Sequence, residues 1–263
     1  MITRLFVRGM LVGLLAGLLA AVFASTVGEP HIDRAIALEE AAAEAPAAHS
    51  HGAGEPAGHA HEDAGGHSHG EDALVGRDGQ RFGLFLALAL YGLAVGGLFA
   101  LAYAAVRGRA GPRSEPALAV VLAAGAFAAV VLVPFLKYPA NPPAVGDPGT
   151  IGQRTTLYLV AVAIGILAVA AGAATHRYAA RSEPWRRWLA AGAATLLPVA
   201  AAWILLPGVD EVPEGFPAGL LWDFRIASLG TQAVFWLGVG ALFALACALG
   251  RTGEAAARPR TPV

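Results

Sequence analysis

The sequence predicts an all-α integral membrane protein of about six transmembrane helices in three hairpins, with a largely disordered, His-rich extracytoplasmic loop between the first two. Three observations carry this. Of 263 residues, 56% are hydrophobic and 14% charged, with a mean hydropathy of +0.58; a soluble domain would carry about 25% charged residues. Apolar runs of about 20 residues, the length needed to cross ~30 Å of hydrocarbon, recur along the chain. Seven of the eight histidines fall in one polar stretch between the first two runs.

The first run, Leu5–Val27, is apolar apart from Arg8. Arg4 and Arg8 followed by a hydrophobic stretch and Ala21-x-x-Ala24 also fit a signal peptide. The run is long for one, and Gly9, Gly13 and Gly17 make a small-residue packing face, which favours a retained helix spanning residues 1–27. Residues 28–81 form the extracytoplasmic loop. Ile32–Ala45 suits a short acidic helix, and Pro46–Asp72 is low in complexity, expected to be disordered without a ligand. A membrane domain of five helices follows over 82–250. Its spans are Phe82–Val106, with Gly92, Gly96 and Gly97 for close contact, Ala117–Leu136, Thr155–Ala174, Trp188–Leu206, kinked at Pro198, and Ile226–Leu249. Between the third and fourth lies a rigid Pro- and Gly-rich connection, and between the fifth and sixth an acidic, Pro-rich loop, Pro207–Trp222. Residues 251–263 read as a basic cytoplasmic tail.

Charge sets the orientation, because Lys and Arg gather on the cytoplasmic side. With both termini inside, the inner segments hold 12 of 18 basic residues and three acids, Glu115, Glu183 and Glu254; the outer segments hold 16 of 19 acids. The chain is therefore expected to be a multi-pass protein of the inner or plasma membrane, with the histidine loop outside. A weak repeat supports the hairpins: Gly79-Gln-Arg81, Gly152-Gln-Arg154 and Asp223-Phe-Arg225 open the second, fourth and sixth spans. The preceding span in each case is expected to end at a proline, Pro30, Pro134 or Pro207. Arg81, Arg154 and Arg225 could form a ring at the outer mouth, pairing with acids such as Asp78, Asp147 and Asp223; the simpler reading is that they snorkel to headgroups.

The loop's chemistry is that of metal capture. His49 and His51, His59 and His61, and His67 and His69 form three His-x-His pairs beside Glu55, Glu62, Asp63, Glu71 and Asp72. Imidazole suits zinc, copper, iron and nickel, and carboxylates add charge and further ligands. Capture should fail in acid as imidazole protonates. A flexible segment loses entropy when it orders, which favours moderate affinity and quick release. His31, with Glu29 and Asp33, is a candidate fixed metal site at the outer mouth; a solvated spacer and a simple helix-end histidine are the plainer alternatives. His176 sits among arginines, a poor place for a cation.

The membrane spans themselves lack such groups. No Asp, Glu, Lys, Arg or His lies deep in spans two to six, where ion-coupled transporters usually place them. The polar candidates are Tyr91, Thr155, Thr156, Tyr158, Thr195, Ser228, Thr231 and Gln232, with Cys247 a helix-packing residue. One Cys excludes an internal disulfide or a cysteine cluster, and the single Lys137 follows no Gly-rich loop, so no P-loop ATPase is present. No enzyme, tightly bound cofactor or nucleic-acid contact is expected.

Several stretches together resemble the CbtA family of predicted cobalt transporter subunits. They are the first helix with Gly28-Glu-Pro-His-Ile-Asp-Arg-Ala-Ile-Ala-Leu-Glu-Glu40, the histidine insert, Leu136-Lys-Tyr-Pro-Ala-Asn-Pro-Pro-Ala-Val-Gly-Asp-Pro148, Gly152-Gln-Arg-Thr155, and Leu221-Trp-Asp-Phe-Arg-Ile-Ala-Ser-Leu-Gly-Thr-Gln232. The resemblance implies a small membrane subunit for cobalt uptake toward cobalamin synthesis, beside a short single-span, histidine-bearing partner, CbtB. It implies five spans, where hydropathy here gives six. The family's acidic region maps onto Glu29, Asp33, Glu39 and Glu40, and its aromatic-Arg pattern onto Phe224, Arg225, Ser228 and Gln232; it supplies no catalytic residues.

The expectation is a subunit that captures Co²⁺ (or Ni²⁺ or Zn²⁺, which the same ligands serve) on its histidine loop and admits it to the cytoplasm. Its mouth would be drawn from Glu29, His31 and Asp33 and from Arg81, Tyr138, Asn141, Asp147, Arg154, Asp223, Arg225 and Gln232. A membrane-anchored metal sensor or metallochaperone is the alternative, and transport of a non-metal solute a third.

Overall fold

A computed structural model describes residues 2–44 and 77–256. Among them there is no strand, and six helical spans are long and apolar enough to cross a membrane. Hydropathy therefore counts the spans correctly. The helices are α1 (Ile2–Phe23), α2 (Glu29–Glu44), α3 (Arg77–Val106), α4 (Glu115–Phe127), α5 (Val133–Lys137), α6 (Ile151–Tyr178), α7 (Pro184–Leu205) and α8 (Ala218–Ala256). Side-chain contacts sort their ends into two sets. Arg81 meets Glu29, Tyr138 meets Pro207 and Arg225 meets Asn141 at the acidic end. Tyr103 meets Glu115 and Cys247, and Arg187 meets His176, at the arginine-rich end. The spans thus alternate in direction.

Two prolines behave differently from the sequence expectation. The first and third spans do not stop at Pro30 and Pro134; the helix carries on through each. A π-helical turn precedes both, Ala24–Gly28 before Pro30 and Ala128–Leu132 before Pro134. Proline has no N–H and its ring crowds the carbonyl four residues back; the wider i→i+5 turn makes room for it. In the second case that carbonyl, on Val130, lies 3.4 Å from the Tyr158 hydroxyl of the neighbouring helix. The first span consequently runs Ile2–Ala43, 42 residues. At 1.5 Å per residue it is about twice the ~30 Å hydrocarbon thickness, so polar α2 stands clear at the acidic end. The third such proline, Pro207, does lie beyond its helix, since α7 ends at Leu205. α7 itself runs through Pro198.

The first hairpin closes on glycine. Gly9, Gly13 and Gly17 of α1 face Gly92 and Gly96 of α3, and a Cβ at Gly13 would fall on the Gly92 carbonyl and lie 2.7 Å from the Gly96 Cα. Lipid tails are as apolar as leucine, so close van der Waals packing of backbones, rather than exclusion of water, holds such helices together. Gly97 joins the same contact, receiving the side chains of Phe6 and Met10 from α1. The second hairpin packs likewise, with Gly165 of α6 against the Ala129 carbonyl in the π-turn.

The third hairpin is one in sequence only. α7 packs on α6, while α8 packs on α1 and α4. The core accordingly lies among α1, α3, α4 and α8, where Val12, Ala16, Phe99, Tyr103, Phe235, Val239 and Phe243 are buried with Cys247. Phe243 sets its ring 5.2 Å from Phe99 and 4.9 Å from Tyr103. α7 is peripheral: Ala191 is its one buried residue, and Trp188, Leu196, Leu197 and Ile204 face outward. The histidine-pair segment, with the disorder expected of it, lies outside the described residues.

Candidate functional site

At the acidic end, a cavity of about 940 Å³ opens between the third, fourth and sixth spans and the loops that join them. Local sequence shapes its rim. After α5 the chain leaves helical geometry at Tyr138, runs without regular structure past Pro139 and reverses in a turn at Pro142–Val145, where the Val145 N–H donates to the Pro142 carbonyl at 3.3 Å. Gly146 takes φ +125°, a region that favours glycine, and Arg154 lies where a Cβ there would project. The Asp147 carboxylate then accepts from the Gly149 N–H at 2.7 Å, capping the 3₁₀ turn Pro148–Thr150 that leads into α6.

The second loop is tied to the first by Glu211. Its carboxylate accepts from the Thr150 hydroxyl at 2.6 Å and the Asp147 N–H at 2.9 Å, and it faces Arg154 at 3.4 Å. These hydrogen bonds, chiefly that of Thr150, hold its pKa below the ordinary carboxylate value. The Tyr138 hydroxyl donates to the Pro207 carbonyl at 2.9 Å, and desolvation raises its pKa. Lys137 donates to the Trp203 carbonyl at 2.9 Å and sits 5.3 Å over its ring. From α8, Arg225 reaches the Asn141 side-chain oxygen at 2.9 Å and the Ala140 carbonyl at 3.3 Å. Gln232 Oε1 and Arg154 Nε are buried without a hydrogen-bond partner among the described residues.

Of the expected mouth residues, Tyr138, Asn141, Arg154, Arg225 and Gln232 all line this cavity. So do Thr155, Tyr158, Ser228 and Thr231 of the polar set, whereas Tyr91, Thr156 and Thr195 do not. Asp147 sits behind the rim as a cap. Asp223 is exposed and lines nothing, because two residues along a helix from Arg225 is about 200° around its axis. The three arginines do not make one ring, and of the expected acids neither Asp147 nor Asp223 pairs with them through its carboxylate among the described residues. Arg154 pairs with Glu211 and bonds only the backbone of Asp147. Arg81 pairs with Glu29 at 2.9 Å, across the first hairpin and away from the cavity. Asp78 lies outside the described side chains.

Glu29, His31 and Asp33 do not line the cavity. Among the described residues no three of His, Cys, Asp and Glu gather as a metal-binding group. Glu29 is engaged by Arg81, and alternate positions on a helix diverge by about 200°. The Nδ1 of His31 is buried without a partner among the described residues. His49, His51, His59, His61, His67 and His69 lie outside the described residues. The sequence missed Asp210 and Glu211, both cavity-lining; the acidic, proline-rich character of their loop was the available signal.

A family model described as "Probable cobalt transporter subunit (CbtA)" matches residues 2–248. The chain belongs to the CbtA family. No curated protein and no solved structure matches it. The CbtA match runs through every span of the bundle and all the walls of the cavity. As a CbtA member with six apolar helices, the chain is a multi-pass membrane protein.

The cavity's chemistry is mixed. Lys137, Arg154 and Arg225 face Asp210 and Glu211 around it. Unit charges 4 Å apart interact by about 4 kcal/mol at an effective dielectric near 20, and roughly twice that for a bare dication. With three cations to two carboxylates, one of them already bonded, the walls offer an unliganded dication little net attraction. They offer hydrogen-bond donors to anionic oxygen instead.

Proposed function

We propose that the chain is the membrane subunit of a cobalt uptake transporter, taking Co²⁺, or Ni²⁺ or Zn²⁺, from outside to cytoplasm. The observation that carries this reading is the cavity at the acidic end, walled by three spans of a CbtA-family bundle and lined by Thr155, Tyr158, Ser228, Thr231 and Gln232 from within those spans. The charge asymmetry puts that end outside and both termini in the cytoplasm. The histidine and acid segment, His49 to His69, collects the ion, and Tyr138, Asn141, Arg154, Arg225 and Gln232 form the mouth that receives it. Glu29, His31 and Asp33, at the root of the segment, stand on the route between the two. The family's description as a subunit supports a partner chain, a small single-span, histidine-bearing protein of the CbtB kind. No catalysis and no resident cofactor belong to this reading.

Labelled cobalt uptake, in cells expressing the chain with and without such a partner, tests it. Deleting residues 46–72 should raise the cobalt concentration needed for uptake without abolishing uptake. Site-directed labelling of that segment in intact cells tests orientation; a cytosolic segment refutes uptake as drawn here. A second reading, a membrane-anchored sensor or metallochaperone docking on another transporter, is favoured by one observation. No metal-binding group forms among the described residues. Absence of uptake with retained cobalt binding would select it.

A further inference from the structure

The walls of the cavity bear on the form in which the ion arrives, and the following inference rests on the uptake reading above. A first-row dication held by side chains needs about four to six N, O or S ligands. The cavity presents two carboxylates, and the Glu211 carboxylate is taken up by Thr150, the Asp147 N–H and Arg154. The Asn141 oxygen is taken up by Arg225. What remains on the ligand side is Asp210, the unpartnered Oε1 of Gln232 and hydroxyls. On the donor side, Arg225 hydrogen-bonds only a carbonyl and an amide oxygen, and its one charged neighbour, Asp210, acts on it across the cavity without forming an ion pair among the described residues. Arg154 keeps a buried, unpartnered Nε–H. Space agrees with charge, since about 940 Å³ is the size of a small-molecule site, far more than one ion needs.

We infer that the cavity receives the divalent cation already coordinated by a small polycarboxylate, whose free oxygens dock on Arg225 and Arg154. Guanidinium forks match carboxylate oxygens geometrically and by charge. The complex of Co²⁺ with a tricarboxylate such as citrate carries net negative charge, so the groups that repel the bare ion attract it. Gln232, whose amide both donates and accepts, and Ser228 complete the polar wall on α8.

The test uses full-length protein and protein lacking residues 46–72, both in lipid nanodiscs, with ¹⁴C-labelled citrate, so that label captured through cobalt on the histidine segment is lost in the deletion and label in the cavity is kept. Citrate should bind only when Co²⁺ is added. Arg225→Gln should weaken that binding by about tenfold or more, the scale of a lost charge-assisted hydrogen bond. Because Arg225 also holds the Ala140–Asn141 loop, Ser228→Trp, which fills the cavity from α8, serves as the second variant and should abolish it. Citrate binding that is absent, indifferent to Co²⁺, or unchanged in both variants overturns the inference. In cells with the partner subunit, cobalt uptake at fixed total cobalt should rise as citrate is added. A fall in step with the free ion refutes chelate entry and leaves the uptake reading standing. No uptake under either condition, with binding intact in nanodiscs, refutes the uptake reading and spares the site.

Discussion

The glycine contact between α1 and α3 invites a quantitative test through Gly13→Ala. One methyl on this residue falls on the Gly92 carbonyl and within 2.7 Å of the Gly96 Cα. Both obstacles are backbone, so no rotamer change relieves them and the helices must move apart. Overpacking a rigid contact costs about 1–3 kcal/mol, and this site belongs at the upper end. Gly83→Ala is the matched control: nothing lies within 4 Å of its added methyl, and the same change in an open helix gains roughly 0.5–1 kcal/mol. The sole cysteine, Cys247, is 3% exposed in the core. Its reaction with a maleimide therefore reports opening of the bundle, at a rate proportional to the open population when reclosing is fast. A loss of about 3 kcal/mol corresponds to roughly a hundredfold faster labelling in Gly13→Ala, against slower labelling in Gly83→Ala. Equal rates in the two variants would refute close backbone approach as the origin of this hairpin.

Three further outcomes are expected. Glu211 has a lowered pKa in the folded protein, so its bond between the loops is intact above the ordinary carboxylate pKa and is lost as pH falls through the depressed value; protease cleavage within residues 207–217 should rise there, and Glu211→Gln should cleave more readily at neutral pH and lose that dependence. Lys137→Met removes the donor to Trp203 and its contact with the ring, costing about 1 kcal/mol; hydrogen exchange should quicken at residues 202–206 and not in α1. Tyr138→Phe breaks the bond to Pro207 at a similar cost of about 1 kcal/mol; exchange should quicken in both rim loops while Cys247 labelling stays at the wild-type rate.

Much of the fold was legible because the bilayer imposes it: apolar run length fixed the six spans, and the small-residue stripes on α1 and α3 announced their contact. The prolines misled where composition is blind to geometry. Pro30 and Pro134 look like stops, and the extra width of the π-turns before them makes room for the ring so that the helix passes. The partner of α7 was illegible too, since its contact with α6 rests on Thr195 lying against Gly172, with no stripe to advertise it. At the site, Tyr138, Asn141, Arg154 and Arg225 were found from sequence because they sit in the proline-rich connection or near the start of a span, and Gln232 because it is a polar residue within an apolar span and falls in the stretch that carries the family resemblance. Asp210 and Glu211 were not, because a loop acid becomes a cavity wall only through the fold of the loop opposite. Glu29 and Asp33, one turn apart, share a face of α2, while His31 between them lies about 200° from each, so nearness in sequence did not bring the three together.

The order in which the chain is made gives the placement of α8 a consequence. Gly238 packs against Ala16, more than two hundred residues earlier, with its added Cβ 3.1 Å away. During translation the first five spans enter the bilayer while the helix that α1 and α4 close upon is still inside the ribosome. Until it arrives, Val12, Ala16 and Ala123 have lipid for a neighbour, and Arg225 cannot yet tether the loop that shapes the cavity. Assembly of the bundle and completion of its polar chamber are thus one late event, and a nascent chain halted before Ala218 should hold neither.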